Sequence, residues 1–125
     1  MDAPAFGLST IGQIALTVTE LERAIGFYRD VLGMKLLFQV PNLAFFACDS
    51  VRLMLSGAEK ATENSSVIYF KVPDIQTAHR TLVERGATFE REPQLVARMP
   101  DHELWMAFLR DPDRNLLAVM SEVRP

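Results

Sequence analysis

The side chains that could do chemistry gather at few places in this chain. His102 stands in Met99-Pro100-Asp101-His102-Glu103, a polar turn that leads into an apolar stretch. Imidazole titrates near neutral pH and either flanking carboxylate could orient it, so His102 is the candidate catalytic acid or base. The same position also suits a solvated loop histidine. His79, between Ala78 and Arg80, reads as a partly exposed helix residue. Asp111 and Asp113 look like a paired acid site, yet Asp-Pro-Asp is turn chemistry in which carboxylates bond the backbone. Cys48 follows Phe45-Phe46-Ala47 with no cation beside it to stabilise a thiolate, and reads as a small buried hydrophobe on a strand. As the single cysteine it has no intrachain partner and fits a reducing, cytoplasmic interior. No phosphate loop, dinucleotide fingerprint or Ser-His-Asp order is present.

The rest of the composition bounds what such residues can serve. The 125 residues carry a formal charge of −3, with 49% hydrophobic and 23% charged residues, as one globular domain would. No block of basic residues offers the field that nucleic acid or an anionic membrane surface needs, so neither is an expected partner. The apolar runs from Leu43 to Cys48 and from Leu104 to Leu109 are far shorter than the ~20 residues of a membrane helix. The first residues, Met1 to Gly7, lack the basic and apolar segments of a secretory signal.

The elements that must position these residues follow from periodicity. Ile14, Leu16 and Val18 alternate with Gln13, Ala15 and Thr17, which predicts a half-covered strand. Thr19-Glu20-Leu21-Glu22 has capping-box spacing, and Leu21, Ile25, Tyr28 and Leu32 predict a helix running to a stop at Gly33. Three strands are expected next, at Lys35 to Val40, Ala44 to Cys48 and Val51 to Ser56. Residues 57–66 are polar and small and read as a linker. The pattern then recurs: a strand from Val67 to Val72, an N-cap at Asp74, a helix ending at Gly86, and strands near Ala87 to Glu90, Gln94 to Met99, Leu104 to Arg110 and Leu116 to Ser121. Ile14 with Ile68, Leu16 with Phe70, Val18 with Val72, Leu21 with Ile75 and Ala24 with Ala78 align at one constant offset. A β-α-β-β-β unit is written twice, in modules at about 10–56 and 67–122 of a single domain, 1–125. The expected fold is α+β, two such modules whose curled mixed sheets form a cleft. Each helix covers one sheet face, so a second module, another subunit or a ligand must cover the other. Val67, Tyr69 and Lys71 are expected on that cleft side.

The repeat, the run Phe27-Tyr28-Arg29-Asp30-Val31-Leu32-Gly33 and the hairpin Phe108-Leu109-Arg110-Asp111-Pro112-Asp113-Arg114-Asn115 resemble the vicinal oxygen chelate superfamily, the glyoxalase I, bleomycin-resistance and extradiol-dioxygenase group. The resemblance covers nearly the whole chain. It implies a divalent ion in metal-dependent members, held by His, Glu or Gln at positions that fall here on Gln13, Met54, Val67 and Ala118. Only Gln13 offers oxygen, and the Met54 thioether is too soft for most of these ions. No metal and no other cofactor is therefore expected; a displaced divalent ion near Asp101, His102 or Glu103 is the alternative. Arg114 stands where the family's hairpin usually has glycine, which implies mild backbone strain.

Pairing across the hairpin turn is expected to put Trp105 on the face of Leu116, Ala118 and Met120, where its ring could stack on a planar ligand. The expected ligand-binding set is Gln13, Arg52, Met54, Val67, Tyr69, Lys71, Trp105 and Ala118. Together these features imply a cytoplasmic, metal-independent homodimer that binds a small, partly apolar or aromatic molecule, similar to bleomycin-resistance proteins. The alternative is a glyoxalase-, epimerase- or dioxygenase-type enzyme with a displaced metal or with His102 as acid and base, and with Arg52 or Lys71 polarising the substrate.

Overall fold

The computed structural model describes residues 6, 8–60 and 66–125 of the chain. Strand β1 (Gln13–Val18) leads into helix α1 (Leu21–Gly26), then β2 (Lys35–Val40), β3 (Leu43–Cys48) and β4 (Val51–Gly57). The second unit is β5 (Ile68–Lys71), α2 (Ile75–Glu84), β6 (Phe89–Arg98), β7 (Glu103–Arg110) and β8 (Leu116–Val123). The sheets have the same plan, β1-β4-β3-β2 and β5-β8-β7-β6, with one parallel pair each, β1 with β4 and β5 with β8. This is a mixed α+β architecture of two four-stranded sheets. No helix among the described residues is long and apolar enough to cross a membrane. Residues 61–65 of the linker lie outside the described residues.

Alternation sets the buried side of each sheet. Leu16, Val18, Leu53 and Leu55 join Leu109, Leu117 and Val119 in one core with Ala24, Ile25 and Tyr28 of the first helical segment and Ile75 and Leu82 of α2. Both sheets thus turn their helix-side faces to a shared interior, and the opposite faces are left open to the outside. Gly57 ends β4 where the Asn42 side chain crosses it and donates to its carbonyl at 2.7 Å, so a Cβ there would collide with that amide.

Three local expectations are corrected. The Thr19 capping box does not form, because the Thr19 amide and hydroxyl both donate to the Asp113 carboxylate of the other module; a charged acceptor outcompetes the helix amide. The first helix is α-helical only over Leu21–Gly26 and widens into a π-helical turn over Phe27–Val31, after which Gly33 stops it at φ 76°. The two strands expected between Ala87 and Met99 are one, β6, whose register slips around Pro93; proline is tolerated there because β6 is a sheet edge.

A polar seam joins the modules. Asp111 is 3% exposed, yet its oxygens accept from the Tyr28 hydroxyl at 2.8 Å, the Asn115 side chain at 2.9 Å and the amides of Asp113 and Asn115 at 2.9 and 2.8 Å. The Asn115 side chain also donates to the Thr17 carbonyl at 3.1 Å. Burial first, and the Asp111 charge second, push the Tyr28 hydroxyl far above its ordinary range, so it stays a donor at every accessible pH.

Candidate functional site

The open face of the first sheet is built by β1, β3 and β4. Parallel pairing sets Gln13 beside Arg52 and Ala15 beside Met54, and antiparallel pairing adds Phe45 beside Met54. The Gln13 amide nitrogen lies 3.7 Å from the Met54 sulfur, donating to it. The Arg52 guanidinium sits 5.5 Å from the centre of the Phe45 ring, which in turn stacks on Phe38 at 4.5 Å. Phe38 and Phe45 were not singled out by sequence reasoning. Their alternation was visible, but a register shift between Leu36 and Phe38 decides which side they take.

On the second sheet, Tyr69 pairs with Ala118, which pairs with Phe108, so all three share the open face. The Tyr69 and Phe108 rings meet edge to face at 6.1 Å, and Ala118 is wholly buried. Met106 and Met120 lie next along this face. Val67, half-buried, precedes β5. Trp105 is corrected: it pairs with Ser121, not with the Ala118 row, and packs against the helix-side core. The reason is Asn115, whose amide and carbonyl are both engaged by Asp111; this makes it part of the turn and shifts the parity of the hairpin by one residue.

His102 lies at the end of this sheet with its side chain only 15% exposed. Its Nδ1 is 2.8 Å from Asp101 and its Nε2 is 3.8 Å from Glu122. Glu122 also meets Lys71 at 2.9 Å and Arg124 at 3.1 Å, and Arg124 reaches Asp101 at 2.6 Å. Lys71 is therefore ion-paired at the surface instead of standing as a free cation. The Arg124 guanidinium, then His102, holds the Asp101 carboxyl down at about 2, and Lys71 holds Glu122 below its ordinary range. Glu122 shares a strand face with Ala118 and Met120, a signal that period-two reading could have used. Cys48 is half-buried, and burial raises its thiol pKa, against a nucleophilic role.

Among the described residues, the hydrogen bonds between modules run through the seam at Thr17, Thr19, Arg23, Tyr28 and Val31, and none links Gln13 or Met54 with Val67, Tyr69 or Ala118. One chain thus brings Gln13, Arg52 and Met54 together, and separately Tyr69 and Ala118.

Residues 10–119 match the family model described as the glyoxalase/bleomycin resistance protein/dioxygenase superfamily. The chain belongs to this superfamily. It is 25% identical to protein YraH of Bacillus subtilis (strain 168), over 86% of this chain and 94% of that one. In fold it is similar to a glyoxalase/bleomycin resistance protein/dioxygenase from Alicyclobacillus acidocaldarius, with a TM-score of 0.75, 19% identity, and 90% and 91% of the two chains covered. It is likewise similar to a lactoylglutathione lyase from Agrobacterium tumefaciens, with a TM-score of 0.74, 23% identity, and 91% and 94% covered.

The residues at the positions where the resemblance implies an ion do not fit a divalent cation. Gln13 directs its amide hydrogens at sulfur, Met54 offers a thioether, and Val67 and Ala118 offer carbon. The displaced set fits no better: Asp101 is engaged by Arg124 and His102, Glu103 accepts from the Trp105 indole at 3.3 Å and lies 3.8 Å from Arg98, and among the described residues no three His, Cys, Asp or Glu side chains gather as a cation requires.

Proposed function

We propose that this superfamily member binds a small, partly apolar or aromatic molecule on its open sheet faces without a metal and without transforming it, as bleomycin-resistance proteins do. The observation that carries this reading is the contact between Gln13 and Met54, which turns an ion-binding position into an amide held against sulfur. Phe38, Phe45, Tyr69, Phe108 and the methionines provide aromatic and adaptable apolar surface beside Arg52. The working unit is a cytoplasmic homodimer. A second copy covers the exposed Leu37, Phe38 and Val40 and sets the first sheet of one chain against the second sheet of the other, which completes the cleft. Native mass spectrometry of the freshly purified protein tests both points: a dimer that carries a non-covalent organic adduct supports the reading, and a bare monomer opposes it.

A second reading rests on His102, which is sheltered and oriented between Asp101 and Glu122 as an acid/base would be. In that reading the chain is an enzyme of the superfamily's glyoxalase, epimerase or ring-cleaving kind. The His102→Ala variant separates the two: an enzyme loses turnover of its substrate, whereas a binder keeps its ligand with at most a shifted affinity.

A further inference from the structure

A groove of about 390 Å³ opens on the other side of the second sheet, away from the open faces. Buried Leu82 and Val119 and half-buried Leu32, Met34, Phe70 and Val72 line it. Ala78 and Thr81 of α2 also line it, with Arg85 at the C-terminal end of that helix. The groove thus lies where the end of the first helical segment, α2 and the helix-side face of β5 and β8 meet.

The Arg85 guanidinium has no carboxylate partner among the described residues; its hydrogen bond there goes to the Val31 carbonyl at 3.4 Å. It reaches that carbonyl across Gly33, where a Cβ would stand 3.0 Å from the Arg85 guanidinium. Carbonyls in the last turn of α2 are already taken by the amides of Arg85, Gly86 and Ala87, so they do not draw on the remaining guanidinium donors. A guanidinium presents five donors in a planar fork that matches a carboxylate. An apolar trough with such a fork in its lining is complementary to a molecule with an apolar body and a single anionic head.

We propose that this groove is a second ligand site that takes a small amphipathic monocarboxylate, its chain or ring between α2 and the Leu32–Met34 segment and its carboxylate on Arg85. The site is independent of the open faces and shares no residue with the ligand set assigned to them except Lys71, whose ammonium is held on the other side of β5 by Glu122.

The test is a methyl-detected NMR titration of the intact protein with octanoate, with 1-octanol as the uncharged control. Octanoate is expected to produce saturable shifts at Leu32, Met34, Val72 and Leu82. Its affinity should fall about tenfold or more in Arg85→Gln, in keeping with loss of a charge-assisted pair. In Ala78→Leu, which fills the groove and leaves Arg85 in place, those shifts should vanish while thermal unfolding remains cooperative. The proposal is overturned by any of four results: equal binding of 1-octanol; unchanged affinity in Arg85→Gln, which would make Arg85 a helix cap only; shifts centred on Met54, Met106 and Met120; or octanoate binding that weakens as protein concentration rises, which would assign the groove to a second copy.

Discussion

The Tyr28 hydroxyl is the best example of a single group whose role the fold decides. It was legible in sequence only as one apolar position of a helix, because its partner Asp111 lies in the other module and a lone pattern of three-to-four spacing cannot see across the chain. Removing the hydroxyl in Tyr28→Phe leaves a buried carboxylate one donor short. Hydrogen bonds to charged groups contribute roughly 1.5–3 kcal/mol, so urea unfolding of the variant should show a loss of about 2 kcal/mol with an unchanged m-value. At the other end of the second sheet, the sequence leaves either Asp101 or Glu103 to orient His102, and the His102 Nδ1 contact falls on Asp101; Arg124 carries no signal in sequence that it reaches back to Asp101 and Glu122. Because the folded-state carboxyl titrates at about 2 against an ordinary 3.8, its favourable contribution is complete above about pH 4 and fades as pH falls toward 2. A carboxyl-detected NMR titration should place the Asp101 midpoint near 2 and return it toward the ordinary value in Arg124→Ala.

At the level of elements, the strands and α2 were legible because their periods are clean and their ends are marked by chemistry that acts locally. Asp74 accepts from the amides of Gln76 and Thr77, as an N-cap should, and Gly86 leaves α2 at φ 101°. Two of the misses arose where a side-chain carboxylate overrode the local pattern. Thr19 preferred Asp113 to its own helix, and Asn115 was drawn into the turn by Asp111, which moved Trp105 to the other face of β7. The same turn holds Arg114 at φ 69°, a left-handed conformation that the family resemblance predicted would be strained. Left-handed backbone costs a residue with a Cβ roughly 1–2 kcal/mol, offset in part by about 0.5–1 kcal/mol of extra chain entropy in glycine. Arg114→Gly should therefore raise stability by about 0.5 kcal/mol in chemical unfolding, since the carbonyl that accepts from Arg110 at 2.9 Å belongs to the backbone and stays.

At the scale of the whole molecule, the duplicated unit could be read directly from residues at constant offset, such as Ile14 with Ile68 and Val18 with Val72. How the two units meet could not. That depends on the seam around Asp111 and on one shared core, which turn the helix-side faces inward and leave Gln13, Met54 and Phe45 on one outer surface and Tyr69 and Phe108, beside the buried Ala118, on another. The pocket chemistry proposed for this superfamily member rests on those surfaces holding amide, sulfur and aromatic carbon where a cation would need oxygen and imidazole. The most direct measurement is equilibrium dialysis of the purified protein against Ni(II), Zn(II), Mn(II) and Fe(II), followed by elemental analysis. No stoichiometric tight binding is the predicted result, whereas one ion retained per subunit would contradict the account.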